Sequence, residues 1–140
     1  MPEPAAVYPL LFSNAAGQLR EDHAGFLRTD WAAGPRGTGT AQELFEHMLL
    51  LVRQRGWSRI LINQTRMVAF TPPEQQWAAQ EWLPRAVAAG YRYGAVVVSP
   101  LAMVRLATSF VTTSVLGRPL TYRSFDSEAE AEQWLAKQPG

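Results

Sequence analysis

The sequence predicts an α/β domain of order β-β-α-β-α-β-α-β-α, in which a five-stranded, mainly parallel sheet carries an antiparallel N-terminal edge hairpin and four helices. Three observations predict it. The runs RILIN (59–63) and GAVVVS (94–99) are apolar without alternation, as in strands covered on both faces by helices. Hydroxyl–carboxylate pairs at capping-box spacing mark helix starts at Thr40/Glu43, Thr71/Glu74 and Ser127/Glu130. Ser99 followed by Pro100 marks a fourth start, with proline where its missing N–H costs nothing.

In chain order, VYPLLF (7–12) and LREDHAGFLRTDW (19–31) flank the turn-rich SNAAGQ and read as a hairpin. Pro9 cannot donate to a ladder, which places the first strand at an edge. AAGPRGTGT (32–40) is the one long flexible loop. The first helix covers 41–55, with Leu44, Phe45, Met48, Leu49 and Val52 at helical spacing and Gly56 beyond its end. The second runs from 72 to 89, with a kink or break near Trp82 caused by Pro84. The third runs from 100 to 115 and the fourth from 128 to 137. PLTYRSF (119–125) alternates, which suits a strand nearer an edge.

Length and composition fit one domain over residues 1–140. A chain of 140 residues, 47% hydrophobic and 18% charged, can bury a core without staples. Thirteen Lys and Arg against twelve Asp and Glu leave a net charge of +1, so neither nucleic acid nor an anionic membrane is an expected partner. The chain has no cysteine, which excludes disulfides, thiol catalysis and Cys-ligated zinc. Without a signal-like start or a long apolar run, a cytoplasmic location without membrane insertion is the simplest expectation.

Element order and local patterns resemble STAS-like domains, the fold of anti-sigma-factor antagonists, and more closely the small stand-alone bacterial STAS-like or CRAL-TRIO-like proteins. The likeness rests on Trp31 at the end of the second predicted strand, on RILIN followed by QTRMVAFTPPEQQW, on EWLPRAVAAGYRYGAVVVS and on YRSFDSEAEAEQWL. It covers nearly the whole chain. The resemblance implies the fold, a role in regulatory protein–protein interaction, and self-association as a homodimer. Phosphorylatable members carry a serine in an Asp-x-Ser-Gly-like context at the helix start after the third strand. Here that junction reads Thr71-Pro72-Pro73-Glu74, and Asn63 and Thr65 give only a looser Asn-x-Thr-Arg, so phosphoacceptor switching is not expected.

The candidate partner- or ligand-binding residues are Asn63, Gln64, Arg66, Thr71, Trp77, Trp82 and Arg85. Asn63, Gln64 and Arg66 stand at or past the carboxyl end of a central strand, where open α/β sheets place ligands; the alternative is a loop whose amides tie down their own backbone. Thr71 is first an N-cap, or else part of an anion-receiving helix end that Pro72 and Pro73 weaken. Trp77 and Trp82, about 140° apart on an ideal helix, place one ring in the core and one toward Arg85 and Tyr91, unless the Pro84 kink lets both pack. The third helix carries only Arg105 as a charge, which suits a dimer face or the wall of a pocket. GPRGTGT lacks the spacing and lysine of a phosphate loop, although Arg36 could meet a partner.

Catalytic chemistry finds no constellation. His23 and His47 have no metal-ligand spacing, no Gly-x-Ser-x-Gly elbow occurs, and Asp30 is the one acid close to the flexible loop. The expectation is a non-enzymatic interaction domain without cofactor or metal, binding an unidentified regulatory partner through 63–71 and the second helix. The alternative is a carrier of a small apolar molecule or lipid, held in a pocket between the second and third predicted helices and the sheet.

Overall fold

A computed structural model describes residues 8–115 and 117–140. Its strands are β1 (Leu10–Asn14), β2 (Gly17–Asp22), β3 (Phe26–Trp31), β4 (Arg59–Asn63), β5 (Tyr93–Val97) and β6 (Thr121–Phe125). They form one sheet in the order β1-β2-β3-β4-β5-β6. The first three are an antiparallel meander; β3 through β6 are parallel. The helices are α1 (Thr40–Arg55), α2 (Pro72–Trp77), a π turn (Ala78–Trp82), α3 (Leu83–Ala88), α4 (Ala102–Thr113) and α5 (Glu128–Ala136). The segment from α2 through α3 is continuous, so the helical stretches number four.

Six strands replace the five expected because 19–31 is a second hairpin. Asp22 Oδ1 accepts from Ala24 N at 2.8 Å, the Gly25 amide bonds the Asp22 carbonyl at 3.0 Å, and Gly25 adopts φ +86. Aspartate at the first and glycine at the fourth position is the chemistry of a tight turn. Trp31 therefore ends the third strand. Pro9 sits just before the edge strand β1, its carbonyl accepting from Glu21 N. Val7, read into the first strand, lies outside the described residues, as does the segment 1–6.

Each parallel crossover moves one strand in the same direction, and α1, the α2–α3 stretch and α4 share one face. There they bury Leu27, Ile60, Ile62 and Val96 against Leu44, Phe45, Met48, Trp82, Val104 and Val111. On the other face α5 sets Ala131 and Leu135 over Phe26, Leu61, Ala95 and Val97. The central strands lie between two apolar layers, hence their unbroken hydrophobic runs.

α5 is also fastened by charge. Buried Arg28 on β3 bonds Asp22 at 2.6 Å, reaches Glu128 and Glu132 of α5, and lies under the Tyr8 ring. Burial opposes the guanidinium's charge, but the Asp22 bond and the two glutamates outweigh it and hold Arg28 protonated.

Three helix starts follow their caps differently. Thr71 forms the full capping box with Glu74, and Ser127 accepts from the Glu130 amide. The Thr40 box does not form. Gly39, at φ 81, takes the cap position, and Asn14 of the hairpin binds both the Thr40 carbonyl at 3.0 Å and Glu43 Oε1 at 2.9 Å. The start expected at Pro100 falls two residues later, because Ser99 Oγ turns the chain by accepting from Leu101 N. Pro84 produces a π turn rather than a break: its ring and missing N–H exclude the bond to Gln80, and Leu83 N bonds Ala78 O five residues back.

Candidate functional site: the carboxyl ends of β3 and β4

At the end of β4 consecutive side chains part to opposite faces of the sheet. Register aligns Gln18 with Asp30 and Asp30 with Asn63, so these three form one row across β2, β3 and β4 on the α5 face. Asn63 Oδ1 accepts from Thr65 N at 3.0 Å and Thr65 Oγ1 at 2.7 Å, and its amide donates to Glu128 Oε2 at 3.2 Å. It thus fixes both the loop and the α5 start. The row floors a cleft of about 400 Å³, lined also by Gly17, Ala32, Ala33, Thr65 and the exposed Arg66. Asp30, the one acid close to the flexible loop in the sequence, here joins a polar row. Burial pushes its carboxyl above the usual range, against the opposing pull of Arg28 and Arg20.

Gln64 turns to the helix-covered face. Its amide donates to Val97 O at 2.9 Å, continuing the ladder, and its Oε1 accepts from Thr108 of α4 at 2.8 Å. At 3% exposure it belongs to the interior.

Thr71 remains a cap. Its partner Glu74 is also forked by Arg36, at 2.8 and 3.1 Å, and the same guanidinium reaches the carbonyls of Val68 and Ala69. The Arg36 side chain is 6% exposed and staples the 32–40 loop to the start of α2. Burial pushes the Glu74 carboxyl up, but Arg36 and the Thr71 amide bring it below the usual range.

Trp77 and Trp82 both pack on Phe45, at 5.8 and 4.8 Å between ring centroids, which the π turn between them permits. Trp82 is 2% exposed and donates Nε1–H to the Phe45 carbonyl at 2.7 Å; Trp77 is half-buried. Arg85 forms a two-pronged pair with Glu46 and lies over Trp77 rather than beside an open pocket. Trp82 also borders a cavity of about 30 Å³ closed by Trp31, Phe45, Phe70, Tyr122, Gln64 and Thr108. That volume holds a water or two. Gln64 and Thr108 also line a cleft of about 280 Å³ between α4 and β5–β6, with Arg105 and Ser124.

The backbone of α4 presents a feature stronger than any of these. Val104, Ala107, Thr108 and Val111 face inward, yet Leu101, Met103, Leu106 and Phe110 are 61, 70, 66 and 48% exposed. Met103, Leu106 and Phe110 follow i, i+3, i+7 spacing and form a second apolar stripe directed outward. Arg105 lies off it, donating to the Ser99 carbonyl at 2.9 Å.

The structure brings Asn63 and Arg66 to one cleft and Gln64 and Trp82 to one cavity, and so separates Gln64 from the two residues grouped with it in the sequence. Thr71 and Trp77 line a separate cleft of about 380 Å³ with Arg36 and Glu74, and Arg85 lies over Trp77. Among the described residues no cluster of three or more His, Asp or Glu could hold a metal ion, and no helix is long and apolar enough to cross a membrane. The fold and cleft define an α/β domain with a six-stranded mixed sheet and a polar crevice at its strand ends. No protein-family model matches the chain, and none of the curated proteins matches it in sequence.

Proposed function

We propose that this chain is a non-enzymatic interaction domain of STAS-like type that binds a regulatory protein without phosphoacceptor switching. One observation carries the reading: the outward apolar stripe Met103, Leu106 and Phe110 on α4, extended by Leu101. Its exposed area, on the order of several hundred Å², is of the size that marks an interaction surface on a soluble protein. Helix α2 packs beside α4, so the stripe lies next to a second helix. The Thr71 hydroxyl, engaged in its cap beside Glu74, is poorly placed to accept a phosphate.

The test is partner capture from extract of the source cells with wild type and Leu106→Glu/Phe110→Glu. Both positions face solvent, so the variant keeps its fold by circular dichroism. The expected result is a partner of fixed stoichiometry, retained by wild type, lost by the variant, and protecting α4 amides from hydrogen exchange. Equal capture by both proteins, or protection confined to other elements, overturns the reading. A second reading, a small apolar ligand, draws on the meeting of the 30 Å³ cavity and the 280 Å³ cleft at Gln64. A reproducible adduct of a few hundred daltons in native mass spectrometry, lost in Gln64→Leu, would favour it.

A further inference from the structure

The row Gln18–Asp30–Asn63 has a charge arrangement that the interaction reading does not use, and the inference below stands apart from that reading. The Asp30 carboxylate is half-buried at the carboxyl end of β3, and only the more distant charges of Arg28 and Arg20 act on it. Arg66, which lines the same cleft, is exposed, and none of the ion pairs among the described residues includes it. The cleft therefore offers one anionic and one cationic group, each with capacity to spare, joined by a floor of side-chain amides. Its remaining lining combines the small residues Gly17, Ala32 and Ala33 with Asn14, Trp31 and Thr65.

We propose that this cleft binds a small zwitterion of the α-amino-acid type, its ammonium on Asp30 and its carboxylate on Arg66, with Gln18 supplying a hydrogen bond at the floor. The signs exclude the simpler classes. A phosphate or other anion entering to Arg66 meets the Asp30 carboxylate. A bare cation at Asp30 meets the field of Arg28, Arg20 and Arg66. A ligand carrying both signs matches both ends, and a cleft of about 400 Å³ has room for one free amino acid with its side chain toward solvent. Asn63 is already committed to Thr65 and Glu128, so it shapes the floor instead of adding a contact.

Asp30 also gives the test its control. Its folded-state pKa is raised, so the fold favours the protonated form; stability is gained as pH falls toward that pKa and is reduced where the group is ionised. Asp30→Asn is thus expected to be at least as stable as wild type at neutral pH, and loss of binding in it reports lost recognition and not unfolding. The experiment is calorimetric titration of the full chain with the twenty standard L-amino acids. For each that binds, its amine analogue lacking the carboxylate and its acid analogue lacking the amine follow. The expected result is saturable binding of one or a few amino acids, weakened at least tenfold in either analogue. Asp30→Asn is expected to remove the preference for the ammonium, and Arg66→Ala the preference for the carboxylate. No saturable binding by any of the twenty at millimolar concentration overturns the proposal. So does an analogue that binds as well as its parent.

Discussion

Gly94, the second residue of β5, sits where two aromatic rings close over the strand. A Cβ built there would fall well inside van der Waals contact of both the Tyr122 ring and the Tyr91 hydroxyl. Neither neighbour can retreat easily. Tyr91 is fully buried, packed edge-on against Trp82 at 5.9 Å and Tyr122 at 6.0 Å, and Trp82 is itself fixed by its bond to the Phe45 carbonyl. Gly94→Ala therefore overpacks a locked array, which costs about 1–3 kcal/mol and here falls toward the upper end. Because Gly94 has no positive φ, alanine also reduces the freedom of the unfolded chain, returning about 0.5–1 kcal/mol. The net loss is about 2 kcal/mol, a fall of roughly 6–10 °C in Tm for a chain of this size. Urea titration and thermal melts of Gly94→Ala, Tyr91→Phe and the double variant measure it as a cycle. The Tyr91 hydroxyl is fully buried with the Tyr122 side chain beside it and no partner in good hydrogen-bond geometry among the described residues, so Tyr91→Phe alone should change stability little. In its background Gly94→Ala should cost less, by about 0.5–1 kcal/mol. A Gly94→Ala protein as stable as wild type, or a cycle with no coupling, refutes the reasoning.

Two further outcomes follow from the ionic contacts. Arg36→Ala frees the 32–40 loop and lets the Glu74 carboxyl return toward its ordinary value. The Glu74 pKa is depressed in the fold, so its contribution is present above the unfolded carboxylate pKa and is lost as pH falls through the folded one. Stability curves of wild type and Arg36→Ala should therefore converge toward acid and separate at neutral pH, and parallel curves would count against the ion pair. Arg28→Ala leaves Asp22, Glu128 and Glu132 without their shared cation. Breaking the buried Arg28–Asp22 pair costs about 3–5 kcal/mol, and the half-exposed Glu128 and Glu132 add little to that. Hydrogen exchange should show the loss first in α5, and an α5 no less protected than in wild type would argue against its anchoring role.

Local chemistry was legible in the sequence; partners distant along the chain were not. The Thr71 and Ser127 caps are satisfied within one turn, so their spacing was enough to find them. Thr40 carried the same spacing, but Asn14 of the hairpin claims Glu43, a competition no local pattern reveals. Pro84 marks a disturbance in the sequence, while its resolution into a π turn that lets both tryptophans meet Phe45 is a matter of tertiary packing that no local pattern carries. The Asp22–Gly25 turn had its signal, aspartate and glycine at first and fourth places, hidden inside a charged stretch that also suits one long surface strand. Missing that turn shifted the register of everything before Trp31. The alignment of Gln18, Asp30 and Asn63 could not then be drawn, and Asp30 looked solitary.

The order β1-β2-β3-β4-β5-β6 means that every pairing joins strands that are consecutive in the chain. No pairing waits for a segment from the far end of the polypeptide. Loop closure is kept short throughout, which favours rapid folding for a sheet that is half parallel. During synthesis the meander can pair as soon as it leaves the ribosome, and each later strand adds to an edge already in place. Among the described residues β6 is the edge laid down after all the others, and α5, which follows it, packs against it and so covers that edge only once it too has been made.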